Sequence, residues 1–382
     1  MSFPSNKLPE VGTTIFSIMS QMAVEHGAIN LGQGFPGFPV DPQLIDKVTQ
    51  AMRAGHNQYA PMPGIPQLRH QIAQKMMRFW NVNFDPQTQI TITAGASQAI
   101  FTAIGALIEP GDEVILFAPA YDCYAPAITL NGGKIQWIEL DYPDFSIPWQ
   151  KVYAAVNDRT KLIMMNNPHN PTGGVWKRDD TDQMAKLVKD TGIYLISDEV
   201  YEHIVFDGEK HISMCLYPEI QSQTMLTYSF GKTFHATGWK LGYAIGPEDW
   251  MREFRKQHQF NVFTCNAPFQ YAIAEYMEDM ERYDLIAPMY QKKRDLLNAF
   301  IPKDSFECIS TPGTYFQLLK YKGEETGSDV ELAKLWTKRN KITLIPISVF
   351  YPEQKDERVL RLCFAKEDEE LNRAGEALQS IH

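Results

Sequence analysis

Short apolar runs alternate with longer stretches of helical period along this chain. "QITITAG" (Gln89–Gly95) predicts a strand, and "ASQAIFTAIGALI" (Ala96–Ile108) predicts the helix that follows it. "DEVILFAPA", "TKLIMMNNP", "IYLISDE" and "TMLTYSF" are apolar over most of their length and end in polar or turn residues. Strands buried on both faces read this way. Helical patterns such as Asp179–Asp190 lie between several of them. The composite predicts an α/β fold built on a doubly wound, mostly parallel sheet.

After about Met280 the texture changes. A helical stretch, "MYQKKRDLLNAFI", precedes the strand-like "GTYFQLLK", a helical pattern near Asp329–Arg339 and the strand-like "RVLRLCFA". This predicts a second, smaller α+β domain. The first 45 or so residues are rich in Gly and Pro and poor in regular pattern. They read as an arm packed on the smaller domain or on a partner subunit. The expected division is 1–45 for the arm and part of the small domain, 46–282 for the large domain, and 283–382 for the C-terminal small domain.

At 382 residues, 44% of them hydrophobic, the chain can fill two cores. Its 36 Lys plus Arg against 46 Asp plus Glu leave a net charge of -10, with no long basic run to engage a phosphate backbone. Nucleic acid is therefore not an expected partner. No apolar run approaches the length of a membrane span, and "MSFPSNKLPEVGTTIF" lacks the features of a signal peptide. A cytoplasmic protein is expected. Cys123, Cys215, Cys265, Cys308 and Cys363 are scattered and show no CxxC pairing, and the nine histidines show no ligand spacing. Neither disulfides nor a metal are expected.

Candidate chemistry gathers where the predicted strands end, the edge at which open α/β sheets bind ligands. Gly95, Ala96 and Ser97 stand at a strand-to-helix turn, where free N–H groups favour a phosphate; the same sequence also serves as a plain turn. "NNPHNPTGG" (Asn166–Gly174) braces the amide of Asn170 between two prolines. "LISDEVY" ends a strand in Asp198, Glu199 and Tyr201, a pattern that equally suits the cap of a following helix. Lys232 follows "TMLTYSF", with Ser229 before it and Lys240 after it. A lysine enclosed in such a cleft loses hydration, which frees an amine able to form a Schiff base. Phosphate turn, amide, acid, tyrosine and lysine are together the parts of a pyridoxal phosphate site.

"NNPHNPTGG", "SDEVY" and "SFGKTFHATGWKLG" occur in that order, with 28 residues from Asn170 to Asp198 and 34 from Asp198 to Lys232. With "INLGQGFPGFP", "NQYAPMPGIPQLR", "TITAGASQAI", "PAYDCYAP", "GTYFQL" and "RLCFAKED", the set spans essentially the whole chain. It resembles the class I and II, fold-type I aminotransferases, and within them the methionine and kynurenine or glutamine aminotransferase branch. The resemblance implies a transaminase that moves the amino group of an L-amino acid, of methionine, aromatic or other large neutral type, to a 2-oxo acid.

It also implies pyridoxal 5'-phosphate bound covalently to Lys232, which then shuttles the substrate proton. Asp198 would pair with the pyridine nitrogen, Tyr201 and Asn170 would reach the phenolic oxygen, and Tyr121 would stack on the ring. Gly95, Ala96, Ser97, Ser229 and Lys240 would hold the phosphate. Tyr59 would reach in from the second subunit of a homodimer. Arg361 would clamp the substrate carboxylate and Gly34 would close over it. Phe16, Phe35, Tyr59 and Phe263 are further candidate pocket walls, each equally suited to a core or an interface. The chain departs from the family pattern at Lys240, where many relatives carry arginine, at Gly231 in place of serine, and at Gly37 in place of aspartate; the last is expected to loosen its loop. Rival readings are a cysteine-conjugate β-lyase on the same scaffold and a non-catalytic cofactor-binding protein. A nicotinamide enzyme is disfavoured because no GxGxxG follows a strand.

Overall fold

A computed structural model describes residues 6–9 and 11–382, so the first five positions of the predicted arm, and position 10, lie outside the described residues. The central sheet has seven strands: β1 (Ile90–Thr93), β2 (Glu113–Ala118), β3 (Lys134–Glu139), β4 (Thr160–Asn166), β5 (Tyr194–Asp198), β6 (Thr224–Ser229) and β7 (Gly242–Ile245). Their spatial order is β1-β7-β6-β5-β4-β2-β3. β7 runs antiparallel to both of its neighbours, and every other pairing is parallel. The mostly parallel, doubly wound sheet expected from the sequence is thus present, with one reversed strand inside it.

The apolar runs are explained by what covers each face. In β2, Val114 and Leu116 pack with Ala99, Ala103, Trp250 and Phe254 from helices Gly95–Gly105 and Glu248–Asn261. Ile115 and Phe117 point the other way, into the core that also takes in Met184 and Val188 of helix Arg178–Thr191. Alternate residues from Val114 to Phe117 therefore face different helical layers, and a polar side chain there would need a buried partner, as Glu113 at the start of the strand has in Arg159, Asn157 and Gln136.

A second sheet of four antiparallel strands is ordered β10-β11-β9-β8, from β8 (Phe306–Ile309), β9 (Phe316–Tyr321), β10 (Ile345–Pro346) and β11 (Val359–Cys363). Helix Asp329–Arg339 begins where its sequence pattern predicts, because Ser328 and Glu331 form a reciprocal capping box. The N-terminal arm differs from expectation. It contains helix Ile15–His26, capped by Thr14 through the Ser17 N–H and stopped at Gly27, whose φ of 59° is the left-handed conformation. Only Met19 and Ala23 of this helix are fully buried, so the apolar stripe is too narrow to stand out as a period. The segment after it, Ile29–Asn30, pairs in parallel with Ile342–Thr343. Among the described residues no helix is long and apolar enough to cross a membrane.

Candidate active site

Because β1 to β6 all point the same way, their carboxyl ends meet at one edge of the sheet, and a cavity of about 260 Å³ lies there. Five of these strands, all but β3, deliver chemistry from their last residue or the residues just after it. Gly95, Ala96 and Ser97 follow β1, Tyr121 follows β2, and Asn170 follows β4. Asp198 ends β5, with Tyr201 just beyond it, and Ser229 ends β6 ahead of Lys232. Lys240 enters from the turn before β7, while Arg361 comes from the middle of β11 and Gly34 from the N-terminal arm. Phe16 and Phe35 also line the cavity.

Tyr59 and Phe263 do not line it. They meet edge to face at 5.2 Å outside the cavity, and Tyr59 is 83% exposed in the single chain. Neither Phe263 nor Tyr59 is therefore a wall of this chain's own cavity.

The anion end of the cavity is formed by the N-terminus of helix Gly95–Gly105. First-turn N–H groups have no partner within a helix, and the dipole adds positive potential there. Gly95 adopts φ of +78°, and a Cβ on it would stand 3.5 Å from the Lys240 Nζ, so the ammonium lies directly over the turn. Ser229 caps the one-turn helix Phe230–Thr233 by accepting the Lys232 N–H at 3.3 Å, which leaves its own O–H free to donate. This arrangement fits a phosphate.

Asp198 is buried at the opposite end. Its Oδ2 accepts from the Tyr124 hydroxyl at 2.6 Å and its Oδ1 from the Val200 N–H at 3.3 Å. Burial nevertheless raises its pKa from 3.8 to about 6, the hydrogen bonds and the Lys232 charge opposing this only in part. A carboxylate in this condition has room for a cation, and a protonated ring nitrogen is one. The backbone around it is tied together by Asn166, whose Nδ2 donates to the Asp198 carbonyl at 3.0 Å while its Oδ1 accepts the Asn170 N–H at 2.7 Å. Asn166 thereby keeps the acid and the amide in fixed relation.

Glu199 does not enter the cavity. It lies fully buried beneath the site, accepting from the Tyr228 hydroxyl, the Ser197 hydroxyl and the Met214 N–H, with the His211 ring 3.1 Å away. Asn167 fixes the tautomer of that ring. Its Oδ1 accepts from the Trp176 N–H, so its Nδ2 is the group that donates to His211 Nδ1, leaving Nε2–H to face Glu199.

Lys232 and Arg361 face each other across the centre. Burial lowers the Lys232 pKa from 10.5 to about 8, with the Arg361 and Lys240 charges pushing the same way and Asp198 opposing. Such an amine is poised for proton transfer near neutrality. Arg361 is 2% exposed, and its guanidinium carbon stands 3.9 Å over the Phe316 ring. Its Nη1 donates to Asn170 Oδ1 at 2.6 Å, yet its Nε has no partner. A buried guanidinium with a spare donor can receive a carboxylate through a two-pronged pair. Because Arg361 occupies Oδ1, the Asn170 amide keeps its Nδ2 for a ligand oxygen.

Of the three departures, Gly231 and Gly37 have steric reasons. A Cβ at Gly231 would meet the Thr237 Cα at 2.9 Å, so the turn leading to Lys240 fills the place of the side chain. Gly37 does not loosen its loop: its N–H donates to the Ala365 carbonyl at 2.8 Å, and a Cβ there would meet Lys366 Cδ at 2.9 Å. Sequence reasoning overlooked Tyr124, Asn166 and Tyr315. All three lie inside the quoted motifs "PAYDCYAP", "NNPHNPTGG" and "GTYFQL", but their roles depend on which atoms meet across strands.

Sheet order, reversed strand and lysine-centred edge together define a transferase of the fold-type I aminotransferase class. The family model described as aminotransferase class I and II matches residues 26–378, and the chain belongs to that family. It is 41% identical to methionine aminotransferase of Escherichia coli K12 over 99% of this chain and 98% of that protein. A crystal structure of an Escherichia coli protein assigned a methionine aminotransferase function superposes with a TM-score of 0.96 at 40% identity, covering 100% of both chains. N-succinyldiaminopimelate aminotransferase from Mycobacterium tuberculosis superposes with a TM-score of 0.94 at 32% identity, over 99% of each chain. Kynurenine–oxoglutarate transaminase of Dictyostelium discoideum is 32% identical over 99% of this chain and 96% of that protein. The protein is accordingly an amino-acid transaminase.

Proposed function

We propose that this transaminase uses pyridoxal 5'-phosphate to pass the amino group of a large neutral L-amino acid, methionine or an aromatic one, to a 2-oxo acid in two half-reactions. The observation that carries the reading is the buried Asp198 carboxylate, short of a cation, at one end of a cavity whose other end is a phosphate cradle. When bound, the cofactor accepts the electron pair left when a substrate Cα–H bond breaks. Asp198 would hold a proton on the ring nitrogen, with Tyr124 steadying the charge. Helix Gly95–Gly105, Ser229 and Lys240 would hold the phosphate. Tyr121 would support the ring, and Tyr201 and Asn170 Nδ2 would hold its phenolic oxygen.

Arg361 orients the substrate through its carboxylate, and the Gly34 backbone excludes water over it. Lys232 Nζ, once free, would take the proton from the substrate Cα and deliver it to the cofactor carbon on the other side of the amino nitrogen. Among the described residues the cations lining the cavity are Lys232, Lys240 and Arg361, and each is assigned a task. None remains for a second substrate carboxylate, while Phe16, Phe35 and Phe316 offer apolar wall. This favours neutral side chains, as do relatives named for methionine and kynurenine. Single contacts of that kind discriminate by about 1–3 kcal/mol.

The same proposal includes a homodimer in which exposed Tyr59 serves the partner's site, a division into the arm, large domain and small domain at residues 45 and 282, and a cytoplasmic location. The test is a screen of amino donors and 2-oxo acids, read by the cofactor's visible absorbance and by the new amino acid formed, with Lys232→Ala as control. Release of pyruvate without a new amino acid would indicate elimination. Absence of transfer from any donor would refute the reading.

A further inference from the structure

Tyr315 does not line the cavity wall, yet it touches the reactive amine from below. It stands just ahead of β9, fully buried, with the rings of Tyr201, Tyr290 and Phe316 around it at 5.2, 5.7 and 4.9 Å. Its hydroxyl lies 2.6 Å from the Gly34 carbonyl and 2.6 Å from Lys232 Nζ, and Nζ lies 3.1 Å from the same carbonyl. A phenol has one proton to give. The Gly34 carbonyl can only accept, so the phenol donates there and must accept from Lys232.

The amine thus donates to two neutral oxygens at once. Covalent engagement of Nζ removes the hydrogens needed for both contacts, so this triangle belongs to the free amine. We propose that the Tyr315 hydroxyl and the Gly34 carbonyl form a docking site for Lys232 in its free state, and that Tyr315 is the positioning residue that sets the proton affinity of this base. The inference rests on the reading of Lys232 as the reactive amine.

The direction follows from the chemistry of the contacts. A charged donor makes the stronger hydrogen bond, so both oxygens favour the ammonium form. Burial, Arg361 and Lys240 disfavour it, and Asp198 favours it. Cys363 also faces the amine, and burial holds its thiol above the ordinary range. The Tyr201 ring faces the amine as well, at 5.6 Å. Replacing Tyr315 by phenylalanine leaves these groups in place and removes the hydroxyl that accepts from Lys232, together with its contacts to the Gly34 carbonyl and the Tyr201 hydroxyl. The Lys232 midpoint should fall.

The experiment is competitive acetylation of Lys232 with isotope-labelled acetic anhydride across a pH series, on cofactor-free protein, read by peptide mass spectrometry. Wild-type protein should show a midpoint near pH 8. Tyr315→Phe should lower it by about one to two units, the value of one charge-assisted hydrogen bond. Tyr290→Phe, which loses a hydroxyl from the same aromatic cluster without touching Lys232, should leave it where it was. An unmoved or raised midpoint in Tyr315→Phe, or an equal fall in Tyr290→Phe, overturns the assignment. Should Tyr315→Phe not fold, fluorotyrosine at position 315 keeps the ring and weakens the acceptor; a midpoint it leaves unmoved is equally fatal. Acetylation needs neither cofactor nor turnover. An active transferase with an unmoved midpoint fails this inference alone, whereas a protein that transfers from no donor fails the functional reading.

Discussion

Tyr124→Phe removes one proton donor and almost no volume, so its effect isolates what the Tyr124 hydroxyl does for Asp198. The bond is 2.6 Å long, wholly buried, and runs from a neutral hydroxyl to a charged oxygen. Such bonds contribute about 1.5–3 kcal/mol, which corresponds to about one to two pKa units. Asp198 already titrates at about 6, above its ordinary 3.8, because burial outweighs its hydrogen bonds. A carboxyl with a raised folded-state pKa holds its proton more tightly when folded, so it lowers stability as pH climbs from the unfolded to the folded value. In wild-type protein that loss should be complete a little above pH 6. In the variant it should continue to about pH 7 or 8.

The difference between the two proteins should therefore be constant below about pH 5.5 and widen by about 1.5–3 kcal/mol towards pH 8.5. All other titrating groups are common to both and cancel. For a chain of this size the widening amounts to about 2–4 °C in Tm, measurable by calorimetry of the cofactor-free proteins. A gap in Tm that stays flat or narrows with rising pH would refute the argument.

Further outcomes follow from the same geometry. Lys232→Ala should abolish turnover while cofactor still binds, and Lys240→Ala should instead release cofactor more readily with turnover retained at saturation; equilibrium dialysis and the visible spectrum separate the two. Arg361→Lys replaces a fork by a point charge and should cost about 1.5–3 kcal/mol, roughly tenfold to over a hundredfold in kcat/KM for the amino donor. Gly231→Ser, which restores the residue common in the family, should here destabilise by about 1–3 kcal/mol, seen in urea unfolding, because its Cβ meets the backbone of Thr237.

The sequence alone made the architecture and most of the candidate site legible. Parallel strands buried on both faces are apolar over most of their length, which makes β2, β4, β5 and β6 visible as runs, and the ligand edge of such a sheet lies where those runs end. Lys232, Asp198, Asn170 and Gly95 were legible for that reason, each standing within a few residues of a strand end. What does not repeat was hidden. Helix Ile15–His26 buries only two residues fully, and the reversal of β7 depends on its neighbours rather than on its composition. Only the tertiary structure decided which hydrogen bonds close. Tyr124 reaches Asp198 across 74 positions and Tyr315 reaches Lys232 across 83. Arg361 finds Asn170 across 191. No local pattern encodes such pairs, because their energy arises from burial and from the geometry of two chain segments meeting, and neither segment carries that information by itself.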